Sequence, residues 1–209
     1  HLLPEIIDQL AKTSDYLQRL QEVEQFNRES ATHLRGIALT PMKFGISFTT
    51  KFLNQGNALV NVYKDGTVQV STGGTEMGQG LNTKIRQLVA DELVISYDDV
   101  RIMVTSTEKN NNTSPTAASA GTDLNGLAAL NACKKIRKNL TEFASNYFAN
   151  SENGIEPSPQ HICFEAGSSG GKSIVYDERL PENKITFRGP VSYTHLRAHE
   201  TSLHLVCRL

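Results

Sequence analysis

The residues best suited to binding chemistry lie in the segment 73–80, whose sequence is GGTEMGQG. This segment holds four of the chain's 15 glycines, and it lies between a strand pattern and a helix pattern. A glycine loop that opens a helix leaves backbone N–H groups unpaired at the positive end of the helix dipole. The segment therefore predicts an anion-binding site, although a tight turn without a ligand explains the glycines alone equally well.

A second stretch of small residues, 116–123 (TAASAGTD), precedes another helix pattern. Its hydroxyl groups, on Thr116, Ser119 and Thr122, can bind oxygen atoms, and its small side chains let a bulky ligand approach the main chain. Close packing between helices also uses small residues, so a purely structural role is the alternative. Two such loops in one domain, each at a helix start, favour ligand binding.

The elements around these two loops predict an α+β fold. Two β-branched runs around Asp65-Gly66 predict a β-hairpin, and Leu81, Ile85 and Val89 predict the helix after the first loop. A strand over 100–105 and a long helix from Leu124 follow. The remaining predicted elements are N-terminal helices over 2–29 with a restart and cap at 13–15, two extended and mostly buried runs at 37–41 and 44–49, and a small meander of strands at 162–165, 173–176 and 184–187.

Composition excludes some classes of partner. The 209 residues carry a net charge of -1, which argues against nucleic-acid and membrane-surface binding, and no apolar run is long enough to span a bilayer. Three isolated cysteines fit reduced thiols and predict a cytoplasmic location. The chain begins with His1, so we expect a piece of a longer protein.

Three motifs in order, 43–49 (KFGISFT), 73–80 and 113–119 (TSPTAAS), resemble the molybdenum-cofactor-binding subunit of the xanthine dehydrogenase family of molybdenum hydroxylases, in its bacterial two-subunit form. The resemblance is dense over 35–148 and loose over the N-terminal helices. It implies that Gly78, Gln79 and Gly80 hold the phosphate and pterin of molybdopterin.

The resemblance also implies a second wall of the cofactor site and a substrate contact. The second wall would comprise Thr116, Ala117, Ala118, Ser119, Ala120, Gly121 and Thr122. The Ala118 backbone would lie next to molybdenum, which the pterin dithiolene ligates in place of any protein side chain. Phe48 would contact a flat purine edge-on, and Thr49 would hydrogen-bond it.

The implied parent enzyme hydroxylates a purine, xanthine to urate, and passes electrons through [2Fe-2S] clusters and FAD to NAD on other domains or on a small iron–sulfur/flavin subunit. The family's general-base glutamate and its substrate-clamping glutamate and arginine lie outside this sequence. We therefore assign no catalytic residue, and we expect the chain alone to be inactive.

The resemblance stops near residue 189, so we predict that 1–189 is a fragment of the molybdopterin-binding domain and that 190–209 is a non-native tail that does not pack. Three of the six histidines lie in the last 15 residues, and 191–201 resembles translated sequencing-adapter DNA. A zinc site that uses His195 and His199 is the alternative.

Two other functions stay open beside the hydroxylase fragment. The first is a non-catalytic nucleotide- or anion-binding module that uses the same two loops. The second is a P-loop nucleotide hydrolase, because 166–173 (AGSSGGKS) is similar to a phosphate-binding loop. A P-loop must open a helix, whereas a strand pattern follows here, which favours a Gly/Ser hairpin turn.

Overall fold

The computed structural model describes residues 2–42, 44–110, 113–150, 155–167, 172–193 and 197–203, the last seven and Tyr193 without their side chains. The chain divides into two compact units, His1–Gly45 and Ile46–Leu209. In the described ranges, no helix is long and apolar enough to cross a membrane.

The first unit contains two helices, α1 (Leu3–Thr13) and α2 (Tyr16–Glu29), which confirms the predicted N-terminal helices and their break. The predicted cap for the second helix is wrong. Asp15 takes a left-handed φ of 50° and makes no capping bond, whereas the Ser14 hydroxyl donates to the Leu10 carbonyl at 2.6 Å. The hydroxyl therefore satisfies the last turn of α1, whose carbonyls lack partners within the helix.

Neither apolar run after α2 is mostly buried, so that prediction is wrong as well. Leu39 is half-buried, and Phe44 is 73% exposed. Residues 37–41 also form no strand. A single chain segment can bury its apolar side chains only against another apolar surface, and this unit supplies too little of one.

The second unit begins with the predicted hairpin, formed by β1 (Gln55–Val62) and β2 (Val68–Thr72). Asp65 accepts from the Thr67 N–H at 3.0 Å, and Gly66 takes a φ of +85°, a conformation that favours glycine. The Asp-Gly turn therefore fixes the register in which Val60 lies opposite Val70.

The main sheet has four strands, in the order β3-β2-β1-β7. The strand β3 (Val100–Ile102) is parallel to β2, and β7 (Arg197–Leu203) is antiparallel to β1. Helix α3 (Leu81–Leu93) contacts β3, and α4 (Leu127–Asn150) contacts both α3 and β1. Strands β1, β2 and β3 and helices α3 and α4 share one core, whose members include Val60, Val70, Ile85, Val89, Ala128, Ala132, Ile136 and Leu140.

A small meander completes the unit: β4 (Ile162–Glu165), β5 (Ile174–Asp177) and β6 (Lys184–Thr186). All three strands are antiparallel, and Val175 packs with Ala144 and Phe148 of α4. A strand follows the segment that is similar to a P-loop, so no helix N-terminus is there to hold phosphates. Residues 168–171 of that segment lie outside the described residues. The α+β class predicted from the sequence is confirmed.

The C-terminal segment differs from the prediction that it stays unpacked. Helix α5 (Arg188–Tyr193) buries Val191, and the backbone of β7 pairs with β1. The prediction that 190–209 would not pack is therefore wrong for its described part. The histidine side chains of the alternative zinc site lie outside the described residues, and a non-native origin of this segment stays a prediction.

Candidate functional site

The first loop, residues 73–80, connects β2 to α3, and two different demands explain its glycines. A Cβ on Gly73 would lie 2.3 Å from the Thr113 hydroxyl oxygen, and one on Gly74 would lie 2.6 Å from Leu81. Gly78 and Gly80 instead have φ values of +98° and +76°, with open space around them. The first pair thus permits close packing, and the second pair permits the turn.

The second loop, residues 116–122, holds two adjacent non-glycine residues in the left-handed region. Ala118 has a φ of 54° and Ser119 a φ of 53°. The chain then enters a π-helical turn, Thr122–Gly126, before α4 begins. Backbone strain and π-helical turns both occur frequently at functional sites.

The two loops meet through a direct hydrogen bond. The backbone N–H of Thr75 donates to the Thr116 hydroxyl oxygen at 2.8 Å. Between the loops lies one pocket of about 350 Å³. It is lined by Met77, Gln79, Leu81, Lys84, Thr116, Ala117, Ser119, Gly121 and Thr122. The prediction that both loops lie close together at helix starts, around one cavity, is confirmed. Its further part, that their backbone N–H groups face this cavity, is wrong for Gly78 and Gly80.

The backbone N–H groups of Met77, Gly78 and Gly80, however, are bonded within the first loop. One oxygen of Glu76 accepts from Gly78 at 2.9 Å and from Gly80 at 3.0 Å, and the other accepts from Asn82 at 2.8 Å. The Asn82 N–H, with those of Gly80 and Gly78, lowers the pKa of the Glu76 carboxyl below its ordinary value. Sequence reasoning missed Glu76, although an acidic residue before a helix start was the available signal.

Gln79 lies at the pocket and is held in place by its own loop. Its side-chain oxygen accepts from the Met77 N–H at 2.6 Å, and its side-chain nitrogen donates to the Thr75 carbonyl at 2.9 Å. Both polar atoms of the Gln79 amide are therefore bonded to the loop, so the side chain is fixed at the pocket wall rather than free to rotate.

Lys84 is the charged side chain that lines the pocket, and sequence reasoning missed it. It follows Leu81 by three positions on α3, so both side chains lie on the same face of the helix. An ammonium group beside hydroxyls and an amide provides the pocket with donors suited to an anionic, hydrogen-bonding ligand.

Other residues expected at the site do not line the pocket. Ala120 is buried, and Gly78, Gly80 and Ala118 contribute backbone to the loops. Phe48, which is half-buried, and Thr49, which is exposed, also lie outside the lining.

The Phe48 segment is nevertheless tied to the second loop. The Ser47 N–H donates to the Ala118 carbonyl at 2.9 Å. Buried Asn54 then bonds both backbone groups of Phe48, accepting from its N–H and donating to its carbonyl, each at 2.9 Å. Sequence reasoning missed this clamp, because a bond across six residues leaves no periodic signal.

The donor set fits an organic cofactor better than a bare metal ion. In the part of the chain that the structure describes, no group of three or more His, Cys, Asp and Glu residues is placed to hold a metal. The pocket instead offers hydroxyls, an amide and an ammonium group. A metal bound in this pocket would therefore be ligated by an organic cofactor.

Comparison with known proteins identifies relatives of this chain. The family model of the molybdopterin cofactor-binding domain matches residues 9–201. Xanthine dehydrogenase of Dictyostelium discoideum is 53% identical over 136 residues, which cover 65% of this chain and 10% of that protein. A nicotinate hydroxylase of Emericella nidulans is 48% identical over 146 residues, which cover 69% of this chain and 11% of that protein.

The fold is also found in a solved structure. The reconstituted CO dehydrogenase of Oligotropha carboxidovorans superposes with a TM-score of 0.58 at 19% identity, over 71% of this chain and 18% of that one. At this identity the likeness concerns the fold alone. The chain spans about a tenth of the length of the curated relatives that it matches.

Proposed function

The chain belongs to the molybdopterin cofactor-binding domain family, and on that premise we propose that it supplies two walls of the molybdenum cofactor site of a hydroxylase. The observation that carries the proposal is the pocket between the two loops, joined by the bond from Thr75 to Thr116. The volume of this pocket, about 350 Å³, is within the range that small-molecule and cofactor sites occupy.

Residues of both loops would hold the cofactor. Lys84 supplies positive charge for its phosphate, and Gln79 supplies a fixed amide next to the pterin. Thr116, Ser119 and Thr122 add hydroxyls on the opposite wall. Molybdopterin bound there supplies the redox centre, and the protein binds it, orients it and excludes water.

We propose a purine, xanthine, as the substrate of the whole enzyme. The identity to a xanthine dehydrogenase supports a purine, whereas the similar identity to a nicotinate hydroxylase makes a pyridine acid the competing substrate. Phe48 would orient the flat ring, and Thr49 would hydrogen-bond it. Iron–sulfur clusters, FAD and NAD belong to the remainder of that enzyme or to a small partner subunit, in the cytoplasm.

Two substitutions in the full-length enzyme test these roles separately. Gln79→Ala should lower the molybdenum content, because it removes a fixed contact in the pocket. Thr49→Ala should lower turnover of xanthine while the metal stays bound. Metal analysis beside steady-state kinetics, with xanthine and nicotinate as alternative substrates, measures both effects.

Gln87→Ala is the matched control, since Gln87 is an exposed glutamine on α3 that does not line the pocket. It should leave both metal and turnover unchanged. If Gln79→Ala retains full molybdenum and full activity, the role given to the first loop is wrong. Turnover of nicotinate but not of xanthine would replace the purine by a pyridine acid.

A further inference from the structure

Glu76 places a negative charge where the sequence predicts an external anion. Its two carboxylate oxygens accept three backbone hydrogen bonds, from Gly78, Gly80 and Asn82, at 2.8–3.0 Å. Gly80 is the residue that precedes α3, and Asn82 belongs to its first turn. Two of the N–H groups that make this helix start attractive to phosphate, those of Gly80 and Asn82, are therefore already bonded to the chain itself.

An external anion competes poorly with such an internal one. Glu76 is two, four and six residues from its partners, so its hydrogen bonds need no association of separate molecules. A phosphate that took the same N–H groups would have to expel a carboxylate and lose translational freedom as well. It would also approach a negative charge that stays nearby.

We propose that Glu76 is a positioning residue of the cofactor site, which shapes the first loop by binding its N–H groups and leaves the anionic part of the ligand to Lys84. The inference rests on the proposed function, because it names the residue that prepares the same pocket. It assigns the glycines a different role from direct anion binding. Gly78 and Gly80 allow the left-handed turns that bring their N–H groups to Glu76.

The position of Gln79 depends on the same contact. Gln79 stands between Gly78 and Gly80, and both neighbours are held by one oxygen of Glu76. These two hydrogen bonds set the direction of the Gln79 backbone. The Gln79 side chain can therefore reach the Met77 N–H and the Thr75 carbonyl at the pocket wall. Loss of the carboxylate should therefore free the bonded N–H groups and also make the backbone of the whole loop more mobile.

Amide exchange and chemical shifts of the 209-residue chain, with inorganic phosphate as the probe, test the proposal. In the unsubstituted chain, phosphate should leave the amide signals of Gly78, Gly80 and Asn82 in place. In Glu76→Ala these amides should exchange about tenfold faster, since each loses a charge-assisted hydrogen bond, and phosphate should now shift them. Glu182→Ala, at an exposed glutamate of the meander, should change neither property.

Glu76→Gln separates hydrogen bonding from side-chain bulk. Its single acceptor oxygen should protect either Asn82 or the two glycines, but not all three. On acidification of the unsubstituted chain, the three amides should shift together, with a midpoint below the ordinary glutamate pKa of 4.5. Unchanged exchange in Glu76→Ala, full protection of all three amides in Glu76→Gln, or phosphate-induced shifts of these three amides in the unsubstituted chain would each overturn the proposal.

The proposed function fails in a different way. If phosphate shifts no signal around Lys84 or the second loop, and Lys84→Gln changes nothing in the full-length enzyme's molybdenum content, the pocket is not the cofactor site. The behaviour of the Glu76 variants would still decide whether the carboxylate shapes the loop.

Discussion

At the scale of single residues, Asn54 shows how one buried amide can position a segment that has no regular structure of its own. It is 2% exposed, and it bonds the N–H and the carbonyl of Phe48. The next residue towards the N-terminus, Ser47, bonds the second loop through Ala118. Asn54 thereby fixes the position of the backbone at Phe48, the first of the two residues proposed to contact the substrate.

Asn54→Ala should lower the free energy of unfolding by about 2 kcal/mol, because two hydrogen bonds are lost and a buried cavity is left. The Phe48 amide should also exchange faster than in the unsubstituted chain. Denaturant unfolding and amide exchange measure the two effects. Asn183→Ala, in the exposed turn before β6, is the control. Equal stability of Asn54→Ala and Asn183→Ala would contradict the clamp.

Asp177 is the residue whose charge should matter most for the meander. It is fully buried and accepts two side-chain hydrogen bonds from Arg179, at 2.9 and 2.7 Å. These bonds hold the pKa of Asp177 below the ordinary value of 3.8. A carboxyl whose pKa is lower in the folded chain stabilises the fold above its unfolded pKa, and the contribution disappears as the pH falls through the folded pKa.

Asp177→Asn should therefore cost about 2 kcal/mol at neutral pH, the usual range for hydrogen bonds to a charged group. The stability difference between the two chains should begin to shrink as the pH falls below about 4, where the carboxyl of the unfolded chain takes up a proton. It should be lost once the pH has fallen through the lower folded pKa, where the native carboxyl becomes neutral as well. Urea unfolding at a series of pH values measures this difference, with Glu182→Gln as the exposed control. A difference that stays constant down to acidic pH would contradict the ion-pair explanation.

At the scale of elements, the close approach of β1 to the π-helical turn positions the second loop. A Cβ on Gly56 would lie 2.7 Å from the Leu124 carbonyl carbon and 3.0 Å from the Asn125 nitrogen. Both are backbone atoms, so neither can move aside as a side chain could. The strand and the turn must separate if any side chain is placed at this position.

Gly56→Ala should lower the free energy of unfolding by about 1–3 kcal/mol, because the added methyl group overlaps backbone. Signals of the second loop should shift with it, since the displaced turn directly follows that loop in the chain. Thermal unfolding and amide chemical shifts test both effects. Gly36→Ala is the matched control, because nothing lies within 4 Å of the position of its Cβ. An unshifted second loop in Gly56→Ala would show that β1 does not position it.

At the scale of the whole molecule, many large apolar side chains stay exposed because no other part of the described chain covers them. Helices α1 and α2 bury no residue, and Leu2, Leu17, Met42, Phe44 and Met77 are all at least two-thirds exposed. Exposed apolar surface of this kind is covered in larger assemblies.

The isolated chain should neither oxidise xanthine nor retain molybdopterin tightly, although Gln79 and Thr49 are present. Two walls provide only part of the contacts of a wrapped cofactor, and the general base that the proposed reaction needs contributes about 10²–10⁴-fold in rate. Metal analysis and a xanthine oxidation assay on the purified chain test this expectation. Turnover by the chain alone would show that the catalytic groups lie within it.

The sequence was sufficient for the local elements of this protein. Periodicity and turn chemistry predicted the hairpin, α3, the long helix and the three short strands, because each depends on neighbours in sequence. The predicted burial of the extended run around Phe44 was wrong, because burial depends on a distant surface. The prediction that residues 190–209 do not pack was wrong for their described part, where β7 pairs with a strand more than 130 residues earlier. The π-helical turn at Thr122–Gly126 was also missed, since it resembles ordinary helix in pattern.

The same distinction applies to the site. Residue types and their spacing were enough to predict the two small-residue loops and the helices that follow them, because glycine content and apolar spacing are local properties. The folded structure was needed to show that Thr75 bonds Thr116, that Lys84 lines the shared pocket and that Asn54 holds Phe48. It also decided that Glu76 binds the N–H groups expected to be open. The contact between Thr75 and Thr116 depends on how distant parts of the chain meet, and those of Asn54 and Glu76 depend on irregular local turns that periodicity does not report.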